Sequence, residues 1–213
     1  MRFIRILLLL FLILAIWVAV DLGYPHKTDI GHFNGHAVAG LETQMWKSYY
    51  EKKKLQLFLQ TSSLMRKQFG ATFWRSQRMA FHAARAAFVF KDGRNRADYG
   101  KALPDLVRYY GDINDISLRP FDVREAARLE LEWWIIRRYR SEYSPEAWEK
   151  NLALLASTVY HLPPEKFVDY AHYRVQAMLL RDEKGEGITE ADWKQINGLL
   201  DKAWQSFTNS LGT

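Results

Sequence analysis

The N-terminal stretch 1–20, MRFIRILLLLFLILAIWVAV, decides how the rest of the chain is arranged. Arg2 and Arg5 open it, and residues 6–20 contain no charged or strongly polar side chain. With Arg5 able to extend its guanidinium to the interface, residues 3–20 are close to the minimum length that crosses a bilayer as a helix. We therefore predict a transmembrane signal anchor, with residues 3–20 in contact with membrane lipid.

A basic start followed by a long apolar run also fits a cleaved secretory signal. Signal peptidase needs small residues at positions −3 and −1, but cleavage after Ala19 places Trp17 at −3, and cleavage after Ala15 places Ile13 there. A lipoprotein signal needs a cysteine, and the chain has none. These positions favour a retained anchor over a cleaved signal or a buried core helix.

The cations that flank the anchor predict its orientation. Arg2, Arg5 and the amino terminus lie on one side, whereas Lys27 is the only Lys or Arg in the twenty residues after Val20. Because the more cationic flank stays in the cytoplasm, we predict a cytoplasmic N-terminus. Residues 21–213 are then periplasmic or extracytoplasmic.

The remainder of the chain predicts an all-α domain of about six to seven helices over residues 41–213. Residues 21–40 are rich in glycine and are interpreted as a juxtamembrane linker. No segment alternates polar and apolar residues over a sustained length, as a half-buried strand would. Helical periodicity and capping patterns predict helices over 41–68, 72–90, 95–110, 122–140, 145–160, 163–181 and 189–206.

A faint internal repeat relates two helix starts. SPEAW at 144–148 and TEADW at 189–193 are offset by 45 residues, and each is followed by a Leu-Leu pair. The repeat suggests two helical hairpins, 120–161 and 163–207. Consecutive hairpins of this size stack in short solenoids of the TPR-like kind, and an irregular helical bundle is the alternative.

Composition indicates a folded domain and excludes several kinds of site. Aromatic residues make up 15% of the chain, with eight Trp and eleven Tyr, which is unlike a disordered segment. The absence of cysteine excludes disulfides, thiolate nucleophiles, zinc–thiolate sites and covalent haem attachment.

Charge is distributed unevenly along the chain. Residues 47–101 carry thirteen Lys and Arg against three Asp and Glu, whereas residues 142–213 carry seven against eleven. The split indicates an acidic partner, two halves that face each other, or simply a solvated basic surface. Among external partners, anionic lipid is favoured because the basic part follows the anchor. We predict no nucleic-acid partner, since no helix-turn-helix or RNA-binding signature occurs.

One predicted helix carries a cationic stripe. Arg75, Arg78, His82 and Arg85 recur at spacings of three, four and three, which places them on one helix face. The guanidinium fork matches the oxygens of phosphate, sulfate or carboxylate. These four residues, called the Arg/His stripe below, are therefore the candidate ligand-binding residues.

The helix after Pro120 offers acidic partners for the Arg/His stripe. Glu125 and Glu132 are seven residues apart and share a face. Three interpretations are open: salt bridges between the two helices inside the bundle, a ligand site in which the acids orient the arginines, or an exposed surface.

Neither a metal site nor a catalytic motif is predicted. His26, His32 and His36 fall in the glycine-rich segment, which does not hold ligands in a fixed geometry. A carboxylate-bridged di-iron bundle requires Glu-x-x-His motifs, and no Glu stands three residues before a His. There is no G-x-S-x-G elbow and no Gly-rich phosphate loop after a strand. We therefore predict no cofactor and no catalytic residue.

These features predict a membrane-anchored helical binding or scaffold protein, or an accessory subunit that meets a protein partner at the membrane. The alternative is an enzyme or carrier for an anionic or lipid-derived ligand held by the Arg/His stripe, with Glu125 or Glu132 as acid or base. The pairing of the arginines discriminates between them, since guanidiniums consumed in internal contacts are not free to hold a ligand.

Overall fold

The computed structural model describes residues 2–212, which form ten α-helices and two 3-10 turns. The helices are α1 (Arg2–Gly23), α2 (Gly35–Tyr50), α3 (Lys54–Phe69), α4 (Phe73–Asp92), α5 (Arg96–Gly100), α6 (Leu103–Ile116), α7 (Val123–Arg138), α8 (Pro145–Tyr160), α9 (Val168–Lys184) and α10 (Glu190–Leu211). The 3-10 turns are Pro164–Phe167 and Gly185–Gly187. The predicted all-α fold with an apolar N-terminal helix is confirmed.

The long helices after α1 pack in a closed cycle. From α2 to α10, each long helix packs against the next long helix in the chain, and α10 packs against α2. The short α5, which lies between α4 and α6 in the sequence, contacts α4 and α7. Because the repeats of an open solenoid contact only their neighbours, the contact between α10 and α2 makes this arrangement a bundle. The predicted hairpins 120–161 and 163–207 contain the packed pairs α7–α8 and α9–α10.

The predicted helix over 41–68 is divided into α2 and α3. The break falls at Glu51–Lys53, where Lys52 adopts a left-handed conformation with φ 60°. Lys53 N–H then donates to Ser48 O at 2.9 Å, which satisfies a carbonyl at the end of α2. Four consecutive charged residues, 51–54, provide no apolar face to bury, so the chain turns into solvent there.

The predicted helix over 95–110 is also divided. Asn95 caps α5 by accepting a hydrogen bond from Asp98 N–H at 3.0 Å. Helix α6 begins at Leu103 with Pro104 in its first turn, where a missing N–H costs nothing. The proline therefore starts a new helix, and α6 continues to Ile116.

The segment predicted as a juxtamembrane linker is held against the domain. Thr28 N–H donates to Ile116 O at 2.7 Å, and Thr28 O accepts from Leu118 N–H at 3.1 Å, which forms an isolated β-bridge to the loop after α6. The His26 ring donates to Gly70 O at 2.9 Å. This segment is also shorter than predicted, because α2 already begins at Gly35.

The bundle has two distinct ends. The contacts of His26 and Thr28 place the end of α1 beside the α3–α4 turn (70–72) and the α6–α7 loop (117–122), and this end is called the α1-proximal end. The α2–α3 turn (51–53) lies at the opposite, distal end, because α3 is 16 residues long and so spans about 24 Å. The lysine-rich turn therefore lies away from α1, whereas Arg66 and Lys67 of the same basic part of the chain lie in the last turn of α3, at the α1-proximal end.

Helix α2 approaches α10 closely at its first residue. A Cβ added to Gly35 would lie 2.8 Å from Trp204 O, a backbone atom that has no freedom to move aside. At Gly40 in the same helix, an added Cβ would meet nothing within 4 Å. A glycine is therefore required at position 35, whereas position 40 has room for a side chain.

We predict that Gly35→Ala destabilises the protein by about 1–3 kcal/mol, because α2 and α10 must separate to admit the methyl group. The matched control Gly40→Ala stabilises it by about 0.5–1 kcal/mol through its better helix propensity. Urea unfolding of the solubilised protein, followed by circular dichroism, measures both. Equal stability of the two variants would show that the close approach is absent.

Candidate functional site

Arg75, the first residue of the Arg/His stripe, holds the end of α1. Its side chain is buried, Nε donates to Asp21 O at 2.9 Å, and Nη2 donates to Leu22 O at 3.1 Å and Tyr24 O at 2.6 Å. The last carbonyls of a helix have no partner within the helix, and a cation suits the negative end of its dipole. Arg75 therefore caps the C-terminus of α1.

Aromatic rings complete the contact between α1 and α4. The Trp17 ring stacks on Phe73 at 5.2 Å and meets the edge of Trp74 at 5.3 Å. The Asp21 carboxylate accepts a hydrogen bond from the backbone N–H of Trp74, an amide at the N-terminus of α4 that has no partner within the helix. Trp17, Asp21, Phe73, Trp74 and Arg75 are called the α1–α4 joint below.

Arg78 and His82 face an aspartate on α6. Arg78 Nη2 lies 2.8 Å from Asp112 Oδ1, and His82 Nε2 lies 3.9 Å from Asp112 Oδ2. Burial lowers the pKa of His82 despite the nearby carboxylate, and burial raises the pKa of Asp112 despite the nearby guanidinium. The imidazole is therefore held in its neutral form at neutral pH, and Arg78 supplies a full positive charge at this carboxylate.

Arg85, the last residue of the stripe, also pairs with α6. Its Nε lies 3.5 Å from Asp105 Oδ2, and Asp105 Oδ1 accepts a hydrogen bond from Arg108 Nη1 at 2.8 Å. The carboxylate is buried whereas both guanidiniums are about half exposed. The Asp105 carboxylate therefore pairs with two guanidiniums, those of Arg85 and Arg108, at the outer surface of the α4–α6 pair.

The predicted pairing of the stripe with Glu125 and Glu132 is wrong. Glu125 accepts two hydrogen bonds from Arg128 on its own helix, at 2.6 and 2.8 Å. Glu132 accepts two hydrogen bonds of 2.8 Å from Arg96, whose guanidinium also donates to Tyr143. Both glutamates therefore have other arginines as partners.

The order of helices in the cycle explains this difference. Helix α4 packs against α6, while α7 lies on the other side of α6 and meets α5, which carries Arg96. The acids that face the stripe are therefore Asp105 and Asp112. They are seven residues apart on α6 and share a face, so the signal was present in the sequence on the neighbouring helix.

A buried ion pair between α2 and α9 was missed from the sequence. Arg174 Nη2 lies 2.6 Å from Glu42 Oε1, and Arg174 Nη1 donates to Glu42 Oε2 at 2.9 Å. Trp204 Nε1 donates to the same Oε2 at 2.7 Å. Because Glu42 is 2% exposed and Arg174 is 14% exposed, this bidentate pair ties α2, α9 and α10 together in a dry environment.

Glu130 is a second carboxyl that faces the interior, and it accepts hydrogen bonds from the uncharged side chains of Tyr110 and Trp134. Its Oε2 accepts from the Tyr110 hydroxyl and its Oε1 from Trp134 Nε1, both at 2.9 Å. Burial raises the pKa of Glu130, and burial together with this carboxylate raises the pKa of Tyr110. Such a perturbed pair is often functional, but structural networks also perturb pKa values, and both oxygens of Glu130 are used in internal contacts.

Two histidines outside the Arg/His stripe have partners of their own, and two surface grooves lie away from the stripe. His36 contacts Asp201, and His172 contacts Glu149 at 2.9 Å. Within residues 2–212, no three His, Asp or Glu residues lie close enough together to hold a metal ion. Two open grooves run along α9 and α10 beside Tyr173, and no residue of the stripe lines either of them.

An exposed apolar surface runs along α3 and α4. Gln77 Nε2 donates to Ser62 Oγ at 2.7 Å, which fixes the antiparallel register of the two helices. On these two neighbouring helices, four side chains are each at least half exposed: Leu55 and Leu59 one turn apart on α3, and Phe81 and Phe88 two turns apart on one face of α4. They are called the α3–α4 apolar face below, and sequence analysis had not singled them out.

No known protein family, no curated protein and no solved structure matches this chain. The geometry therefore defines the protein only as an all-α bundle whose N-terminal helix is long and apolar enough to cross a membrane, as a signal sequence also is.

We predict that Glu42→Gln destabilises the protein by about 3–5 kcal/mol, because it removes the carboxylate that pairs directly with the buried Arg174 guanidinium. The matched control is Glu125→Gln, which removes an exposed pair with Arg128 and changes stability by less than about 1 kcal/mol. Urea unfolding near neutral pH measures both. Similar small losses in the two variants would contradict a dry interior pair.

Proposed function

We propose that the protein is a membrane-anchored helical scaffold that binds a protein partner on the non-cytoplasmic side. The single observation that carries the proposal is the α3–α4 apolar face, exposed on a chain whose N-terminal helix has the properties of an anchor. Scattered exposed apolar residues are normal, but contiguous ones mark interaction surfaces.

The anchor is supported by the exposure of α1. The helix is 22 residues long, its most apolar 18-residue window has a mean hydropathy of 2.9, and no residue of that window is fully buried. A helix of this length spans about 33 Å, which matches the hydrocarbon core of a bilayer. Its flanking charges favour a cytoplasmic N-terminus, and residues 21–213 then lie on the other side.

The chemistry of the α3–α4 apolar face indicates the type of partner. The guanidinium of Arg85 lies over the Phe81 ring at 5.7 Å, and Lys53 and Lys54 are exposed at the start of α3 beside Leu55. The apolar centre fits a protein surface that also has an apolar centre, and Lys54 at its edge favours an acidic side chain opposite. Arg85 and Lys53 already pair with Asp105 and Glu51.

The alternative, an enzyme or carrier that uses the Arg/His stripe, has weaker support. Arg75 is occupied by the carbonyls of α1, and Arg78 and Arg85 have carboxylate partners on α6. A ligand would have to displace these contacts, and no residue of the stripe lines either of the two grooves along α9 and α10.

Site-specific photocrosslinking in native membranes tests the proposed function. A benzoylphenylalanine in place of Leu59 or Phe88 should give a discrete adduct with another protein, because both positions lie on the α3–α4 apolar face. Val168, which is also half exposed but lies on α9, is the matched control and should give no such adduct. Leu59→Asp in the Phe88 photoprobe chain should abolish its adduct.

Alkaline phosphatase fused after Thr213 reports the topology in the same cells, and it is active only if the domain is exported. An inactive fusion would contradict the proposed orientation. Absence of an adduct at both face positions, or the same adduct from Val168, would contradict the binding surface.

A further inference from the structure

The α1–α4 joint fixes the depth of the bundle relative to α1. Trp17 lies in the apolar part of α1, four residues before the first acidic residue, Asp21, which is about 6 Å along the helix. The Phe73 and Trp74 rings lie within 5.3 Å of the Trp17 ring. A bilayer that surrounds Trp17 therefore also reaches the first turn of α4.

The α1-proximal end is also chemically suited to a bilayer surface. Tyr24 is 73% exposed and Leu118 is 61% exposed, and the bridge through Thr28 brings their two segments together. Arg66 and Lys67, in the last turn of α3, are exposed at the same end. Aromatic rings with flanking cations characterise protein segments that lie at the level of lipid headgroups.

From these contacts we propose that the α1-proximal end of the bundle lies in the headgroup layer of the membrane, with Phe73, Trp74, Tyr24 and Leu118 in contact with lipid. The inference rests on the proposed membrane span of α1. Lipid is the occupant because this surface continues directly from the lipid-facing surface of α1, and the capped carbonyls leave no free linker to move the domain away.

The absence of cysteine makes a direct test simple, since any introduced cysteine is the only one in the chain. Nitroxide labels are placed in the full chain by Tyr24→Cys and Leu118→Cys at the α1-proximal end. Leu55→Cys, which is 74% exposed at the distal end, is the control matched for exposure. Leu10→Cys, in the middle of α1, reports whether the helix is inserted.

Collision rates with dissolved oxygen and with a water-soluble nickel chelate are measured in nanodiscs of phosphatidylcholine and phosphatidylglycerol. The inference predicts that labels at Tyr24 and Leu118 have nickel collision rates roughly threefold or more below that of Leu55, as expected for an interfacial position. The Leu10 label should be almost inaccessible to nickel and readily accessible to oxygen.

The two proposals fail in different ways. A protected Leu10 label with Tyr24 and Leu118 labels as accessible as Leu55 would overturn the headgroup contact and leave the membrane span intact. A Leu10 label that is accessible to nickel would overturn both the span and the headgroup contact.

Discussion

The arrangement of this protein depends on the capping of α1 by Arg75. The last carbonyls of a helix must find donors, and a single guanidinium from α4 donates to two of them, Asp21 O and Leu22 O, and to Tyr24 O just after the helix. Because Arg75 is buried by the same contact, α1 is not a tail on a flexible tether. It is joined directly to the helical bundle, and its direction sets the direction of the domain.

The Arg/His stripe also joins α4 to α6. Arg78 and Arg85 reach acids on α6, so that one face of α4 contacts both α1 and α6. On the far side of the cycle, the Glu42–Arg174 pair connects α2 with α9. Buried charges of this kind contribute modestly to stability when intact, but removing one partner is costly. Removal of Glu42 or Arg174, the pair with both side chains largely buried, is therefore costly.

Features encoded by local sequence were predictable. The apolar N-terminal helix follows from an uninterrupted apolar run, and the helix starts at Asp122, Pro145 and Thr189 follow from residues within one turn of each other. The break at Lys52 was missed because an unbroken helical pattern extends on both sides of it. The four charged residues 51–54 interrupt the apolar positions at this point, so a signal was present in the sequence, but an exposed charged stretch also occurs on the surface of an unbroken helix.

The candidate site was predicted only in part. Periodicity correctly placed Arg75, Arg78, His82 and Arg85 on one face of α4. It could not show which helix faces them, since this depends on the order of packing around the cycle. Arg75 was the least predictable of the four, because its partners are backbone carbonyls of α1, which carry no sequence signature.

A distance measurement across the α1–α4 joint tests most directly whether the joint holds α1 rigidly against the bundle. Electron–electron resonance between nitroxides at Leu10 and Phe88, in nanodiscs, should give one narrow distance distribution. Arg75→Ala should broaden it, whereas Arg85→Ala, a cation on the same stripe outside the joint, should leave it unchanged. A broad distribution in the unmodified chain that Arg75→Ala does not alter would contradict the account.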